Sequence, residues 1–81
     1  MKNKFNSTEE ARALRLRVEK AKAKLMEYGA IKNGQKNFAL KYPEYLKEKD
    51  WLQNLWYGRS TSEEFTIKLE AFAEFKKVEL T

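Results

Sequence analysis

A short stretch near the middle of the chain carries the side chains best suited to bind a partner. In the segment LQNLWYGRS, Leu52, Leu55 and Trp56 fall at the i, i+3 and i+4 positions of one helix face. Gln53 and Asn54 lie outside that apolar face, so their amide groups are free to donate and accept hydrogen bonds in solvent. The chemistry that this stretch offers is therefore recognition by hydrogen bonding.

Gly58 is predicted to end this helix, because glycine tolerates the left-handed backbone of a helix C-terminus. Arg59 follows it, and a second amphipathic helix is predicted over residues 61–77. That helix begins at Ser60 or Thr61, since each is followed three positions later by a glutamate, as in a capping box. An apolar helix, a glycine, a basic residue and a newly capped helix form the most informative pattern in the chain.

The composition excludes several kinds of chemistry. The chain has neither cysteine nor histidine, so it lacks thiolate ligands, the commonest zinc ligand and the usual proton-transfer side chain. It has no G-x-x-x-x-G-K-S/T phosphate loop, and its two Glu-Glu pairs stand at predicted helix starts, where favourable interaction with the helix dipole explains them. We therefore expect the protein not to be an enzyme and to bind no metal or cofactor.

Length and hydropathy indicate one domain in an intracellular setting. The chain has 81 residues, and no apolar run approaches the roughly 20 residues needed to span a bilayer. The N-terminus lacks the apolar region of a signal peptide, and the absence of cysteine favours a reducing compartment. We expect a single cytoplasmic domain over residues 1–81, with no membrane partner.

The net charge of +5 is unevenly distributed. Residues 1–50 contain 13 Lys and Arg against 7 Asp and Glu, whereas residues 51–81 contain 4 against 5. A basic first half fits a nucleic-acid partner on one face. It fits an ordinary solvated basic helix equally well, so charge alone does not decide between them.

The sequence predicts an all-α domain of four helices, since no convincing strand pattern occurs. Helix one spans residues 8–28, where apolar side chains recur at a 3-4-3-4-3 spacing, with a coiled-coil seam as the alternative. Helix two spans residues 35–42 and ends before Pro43, because the residue before a proline avoids the helical region. Helix three spans residues 48–57, and helix four spans residues 61–77.

The central pattern resembles the helix-turn-helix of phage repressor and Cro-type (lambda repressor-like) DNA-binding proteins. Those sequences commonly read Ile-x-x-Val-Leu-x-Gly-Lys/Arg before the next helix, and the stretch from Leu52 to Arg59 follows that spacing. Gln35 and Ala39 match the family's Gln-x-x-x-Ala spacing in the second helix. The interval from Ala39 to Leu52 is longer than usual, and Pro43 replaces the turn glycine. We therefore expect a lengthened turn or an earlier start of helix three.

The resemblance implies sequence-specific binding of double-stranded DNA by a small phage or mobile-element transcriptional regulator. It implies that Lys49, Gln53 and Asn54 read base edges, with the lysine suited to guanine and the amides to adenine. The residues that it implies for phosphate contact are Gln35, Lys36, Lys47, Tyr57 and Arg59. Proteins of this kind generally bind as dimers, and the candidate homodimer seam consists of Phe75, Val78 and Leu80.

The alternative function is a protein-binding module, such as a small phage-encoded inhibitor or accessory subunit. Tyr45, Trp51 and Tyr57 form an aromatic group that an exposed surface could use to bind a protein partner. Trp51 also fits the edge of the core, so its exposure is left open. RNA or membrane-surface binding through the basic first helix is a third possibility, and it rests on charge alone.

Overall fold

The computed structural model describes residues 9–80, and this part of the chain contains four α-helices, one 3-10 helix and no strand. The prediction of an all-α domain with four helices is confirmed. The elements are α1 (Glu9–Glu27), α2 (Gly34–Lys41), the 3-10 helix (Pro43–Leu46), α3 (Trp51–Trp56) and α4 (Glu63–Leu80). Thr8, which was predicted to begin helix one, lies outside the described residues.

The two long helices, α1 and α4, pack against each other along their apolar faces. The buried side chains of α1 are those of the predicted stripe, namely Ala11, Leu14, Val18, Ala21 and Leu25. The stripe is therefore covered within the chain, which gives no support to the coiled-coil alternative. On the outside of this pair, Arg17 donates two hydrogen bonds to the carboxylate of Glu70, at 2.9 and 2.7 Å. These bonds hold the pKa of Glu70 below its ordinary value.

Phe38 on α2 lies at the centre of the core. Its side chain is fully buried, and its ring centroid lies between 4.8 and 6.3 Å from those of Tyr42, Tyr45, Trp56, Phe65 and Phe72. The contacts with Phe65 and Phe72 are edge-to-face, which is a favoured geometry for aromatic pairs. One side chain thus links α2 to the 3-10 helix, α3 and α4.

The start of α3 differs from its prediction. The helix begins at Trp51 rather than at residue 48, because Asp50 adopts a left-handed conformation with a φ of 64° that no helix interior accommodates. Within the described residues, the Asp50 carboxylate makes no hydrogen bond that caps the helix. The lengthened connection contains the 3-10 helix, which Pro43 begins at a position where its missing N–H costs nothing.

The start of α4 also differs from its prediction. Ser62, and neither Ser60 nor Thr61, caps this helix, since its hydroxyl oxygen accepts a hydrogen bond from the backbone N–H of Phe65 at 3.2 Å. The backbone N–H of Ser60 donates to the backbone oxygen of Asn54 at 3.2 Å, so Ser60 belongs to the turn that ends α3. At its other end the helix continues past residue 77, so the tail through Leu80 is helical.

We predict that Phe38→Ala lowers the free energy of unfolding by about 3–5 kcal/mol, because it removes one ring from five aromatic contacts and leaves a cavity. Phe38→Leu should cost less, since it retains most of the apolar volume. The matched control is Phe75→Ala, where the ring is about half exposed and the loss should stay below about 1 kcal/mol. Urea unfolding followed by circular dichroism measures all three, and equal losses at positions 38 and 75 would contradict the central role of Phe38.

Candidate functional site

The starts of α2 and α3 meet at one surface, beside the 3-10 helix. Two shallow grooves lie next to each other there, and both are lined by Gln35, Leu46 and Leu52. The first extends over Lys36 and Leu40 on α2, and the second extends over Lys49 and Gln53. We call the solvent-facing part of this area the α2–α3 surface, and its members are Gln35, Lys36, Leu40, Leu46, Lys49 and Gln53.

Small and apolar side chains beneath the α2–α3 surface allow the two helices to approach each other. Ala39 and Leu52 are both buried, and they line the floor of the first groove. Gly34 at the start of α2 packs directly on Trp56, since a Cβ atom at this position would lie 3.3 Å from two carbons of the indole ring. The first turn of α2 is therefore held against α3, which places their polar side chains together.

Four of the predicted DNA-contacting residues lie on the α2–α3 surface, namely Gln35, Lys36, Lys49 and Gln53. The side chains of Lys36, Lys49 and Gln53 are exposed, and Gln35 is partly buried. Lys49 lies in the turn before α3, not on the front of the helix as predicted, because Asp50 delays the helix start.

The remaining predicted residues lie elsewhere. Asn54 accepts a hydrogen bond from Arg59 Nε through its side-chain oxygen at 3.0 Å, and the Arg59 guanidinium lies 5.8 Å from the ring centre of Tyr57. These three residues form a separate group at the end of α3. Since the Asn54 oxygen already has a protein partner, the paired donor and acceptor that suit adenine remain together only at Gln53. Lys47 is exposed on the turn after the 3-10 helix.

The proposed aromatic contact group is not one surface. Tyr45 is only 3% exposed, with its ring centre 4.7 Å from that of Trp51 and 5.8 Å from that of Phe65. It is a core residue, so its assignment as a protein-contact side chain is wrong, and burial raises the pKa of its hydroxyl. Trp51 is 37% exposed and covers the edge of the core at Tyr45, whereas Tyr57 is exposed at the other end of α3.

Sequence reasoning missed two leucines on the α2–α3 surface. Leu40 and Leu46 are 70% and 63% exposed, and both line the first groove. Leu40 follows Phe38 and Ala39, which face inward on α2. An apolar residue outside the buried face of a helix is a sign of an exposed contact surface, and Leu40 could have been predicted from it. Leu46 lies in a 3-10 helix of four residues. Such a segment is too short for a hydrophobic period to show which of its side chains face solvent.

Acidic side chains also border this area. Glu48 and Asp50 line the second groove together with Lys49, and Lys36 is the charged residue of the first groove, so the positive and negative charges of the two grooves balance. The α2–α3 surface and its border are therefore polar without a net charge, and they contain an apolar patch. Such a surface suits specific hydrogen bonding and close contact better than strong non-specific attraction to a polyanion.

Lys68 on α4 fixes the 3-10 helix that separates α2 from α3. Its ammonium group donates hydrogen bonds to Glu44 at 2.7 Å and to Glu64 at 2.9 Å. The bond from Lys68 lowers the pKa of Glu44, and the same bond raises the pKa of Lys68. This contact ties the segment that carries Leu46 to the long helix behind it.

Comparison of the chain with protein-family models, curated proteins and solved structures gives no match in any of the three. In the described part of the chain, no helix is both long enough and apolar enough to cross a membrane. Residues 9–80 also contain no group of three or more histidine, cysteine, aspartate or glutamate side chains arranged to hold a metal ion. The helix-turn-helix resemblance therefore rests on the residues of the sequence alone.

We predict that Lys68→Met raises the pKa of Glu44 toward its ordinary value, since its hydrogen-bond donor is removed. Because the folded-state pKa of Glu44 is lowered, the ion pair stabilises the protein at neutral pH and is lost as the pH falls through that pKa. The variant should thus be less stable than the wild type at pH 7, with the difference vanishing in acid. Carbon-detected NMR titration of Glu44 and urea unfolding measure the two effects.

The matched control is Lys77→Met, which removes an exposed lysine from the same helix. An unchanged pKa of Glu44 in Lys68→Met would show that the ion pair does not fix the 3-10 helix. So would a stability difference that persists below the pKa of Glu44.

Proposed function

We propose that this protein binds double-stranded DNA through the α2–α3 surface and acts as a small sequence-specific regulator. One observation carries the proposal: the starts of α2 and α3 bring Gln35, Lys36, Lys49 and Gln53 to one surface. Amide and ammonium groups are the side chains that bond base edges and phosphate oxygens. Residues 42–50 connect the two short helices that carry these side chains, and we propose that the pair acts as a helix-turn-helix with a long connection.

Gln53 is the proposed base reader on α3. It is exposed and it follows the buried Leu52. Its amide nitrogen can donate to N7 of adenine while its amide oxygen accepts from the N6 amine of the same base. Lys49 lies in the turn before the helix and would reach a guanine or a phosphate. Gln35 and Lys36 on the first turn of α2 would bind the phosphates beside them, which fixes the register of α3 in the groove.

The short α3 limits how much sequence the protein reads. The helix has six residues, and residues 42–50 separate it from α2, where a usual helix-turn-helix has a turn of about three or four residues. We therefore propose that α3 contributes one base-reading side chain and that the preceding turn contributes the other. Specificity from one copy would be low, which favours a homodimer on a two-fold site.

The outward face of α4 is the proposed dimer seam. Phe75 is about half exposed, and Val78 is exposed, although Lys41 Nζ lies 4.3 Å from the Phe75 ring centre and partly covers it. Leu80, the third residue predicted for the seam, has a side chain outside the described residues. The proposed dimer thus rests on two exposed apolar side chains of one helix.

A protein partner at the α2–α3 surface is the second candidate function, and the exposure of Leu40 and Leu46 favours it. Two exposed leucines beside a groove are a common feature of protein-binding surfaces. The partly exposed Trp51 lies on the same side of the core as the 3-10 helix, since it stacks on Tyr45. DNA binding accounts for the polar members of the surface, and a protein partner accounts for its apolar members.

We predict micromolar or tighter binding to duplex DNA in fluorescence anisotropy at low salt. Lys36 and Lys49 are the cations of the α2–α3 surface, so log K should fall against log[salt] with a slope of about −2. Gln53→Ala should remove about 1–3 kcal/mol of discrimination at one base pair of a selected site. Lys36→Ala should weaken binding to all sequences alike and make the slope shallower by about 0.9.

Lys20→Ala is the control, because it removes the same charge from an exposed position on α1, outside the α2–α3 surface, and it should leave the slope and the site preference unchanged. Absence of DNA binding at low salt would reject the DNA proposal and leave the protein-partner candidate. Unchanged site preference in Gln53→Ala would reject α3 as the base-reading helix.

A further inference from the structure

Two cations of α1 bind the carbonyl groups at the end of α3. Lys22 Nζ donates a hydrogen bond to the backbone oxygen of Trp56 at 2.8 Å, and Arg15 Nε donates one to the backbone oxygen of Gly58 at 3.0 Å. Carbonyl groups in the last turn of a helix have no partner within the helix, and that end carries the negative part of the helix dipole. Lys22 therefore satisfies a carbonyl and the charge of this helix end, and Arg15 binds the turn that follows it.

Lys22 is enclosed by α3 to a degree that is unusual for a lysine. Its side chain is only 17% exposed, whereas lysines are mostly solvated. Its ammonium group lies 5.2 Å from the ring centre of Tyr57 and 5.8 Å from that of Trp56. Glu19, one turn earlier on α1, lies 3.4 Å away and balances the charge. The ammonium group thus makes three contacts with the end of α3, namely one with the Trp56 oxygen and two with the rings of Trp56 and Tyr57.

α3 is too short to fix its own orientation on the rest of the protein. The helix has six residues, and left-handed residues bound it on both sides, Asp50 with a φ of 64° and Gly58 with a φ of 81°. Helices much shorter than about 12 residues are not stable by themselves, so tertiary contacts decide how α3 is oriented. The apolar side of α3, which includes Leu52 and Trp56, holds the helix on the core. Apolar contacts are not directional, so they fix the orientation of the helix axis less well than hydrogen bonds do.

We infer that Lys22 and Arg15 are positioning residues that fix the direction in which α3 presents Gln53. The inference rests on the proposed function in one respect, namely that Gln53 on α3 reads a base. The hydrogen bonds from α1 to the end of α3 do not depend on that function. These two cations are directed at backbone carbonyls, so they serve the interface through α3 and do not themselves bind phosphates. Two of the basic residues of α1 thus have a role within the protein. The uneven charge of the chain had suggested that such residues contact a nucleic acid.

The first test uses the free protein. In Lys22→Met, the amides of Tyr57 and Arg59, which bond to carbonyls of Gln53 and Asn54, should exchange with solvent at least about tenfold faster than in the wild type, which is the effect of losing one charged hydrogen bond. Amides in the middle of α4 should be unchanged, which separates a local effect from a loss of global stability. The matched control Lys20→Met removes an exposed lysine of the same helix.

The second test uses DNA. Lys22→Met should weaken binding to a selected site about tenfold, yet leave the slope of log K against log[salt] equal to that of Lys20→Met. Lys22→Arg should restore most of the affinity, because it keeps a charged donor. A slope shallower by about 0.9 would identify Lys22 as a phosphate contact and overturn the inference.

The two tests separate the inference from the function on which it rests. Unchanged exchange at Tyr57 and Arg59 in Lys22→Met would overturn the positioning role whatever the DNA result. Faster local exchange in a protein that binds no DNA would support the role of Lys22 in orienting α3 and reject the proposed function alone.

Discussion

The packing of the Phe38 ring is the constraint on which the arrangement of the helices depends. A domain of 81 residues has a small core, and here a single fully buried ring contacts aromatic side chains from the 3-10 helix, α3 and α4. Each of these elements contributes a large buried ring of its own at this point, namely Tyr45, Trp56 and Phe65. Phe38 is the ring that all three share, so its position constrains where the elements lie relative to one another.

The polar surface follows from this packing. With Phe38 and Ala39 directed inward, helical periodicity turns the side chains at positions 35, 36 and 40 outward. On α3, helical periodicity likewise buries Leu52, Leu55 and Trp56 in the core and leaves Gln53 exposed. Gly34 then brings the two helices close enough for their outward side chains to form one surface. Hydrogen bonds from Lys22 and Arg15 of α1 hold the end of α3 in place.

The sequence predicted those features that repeat within a contiguous segment. The stripe of α1, the face formed by Leu52, Leu55 and Trp56, and the helix end at Gly58 all follow from a 3.6-residue period or from one permissive residue. The starts of α3 and α4, which each depend on a single residue, were missed. The left-handed Asp50 shortens α3 without any signal except that aspartate tolerates this conformation. Three consecutive hydroxyl residues before α4 made its cap ambiguous.

Tertiary contacts were beyond prediction from the sequence for a different reason. Lys22 and Arg15 reach carbonyls that are 34 and 43 positions away along the chain, and nothing in their local spacing distinguishes them from the solvated lysines of α1. Tyr45 likewise has no periodic neighbours to show that it is buried. Of the candidate site, the amides and lysines could be named in advance, but the leucines between them could not.

The α2–α3 surface is the side of the molecule that we propose contacts DNA. Amide chemical-shift mapping by NMR, with isotope-labelled protein titrated with a short duplex at low salt, locates the contact directly. We expect the largest shifts at Gln35, Lys36, Lys49 and Gln53, with little change along the outer face of α1. Shifts concentrated on α1, or no shifts at a duplex concentration well above that of the protein, would contradict it.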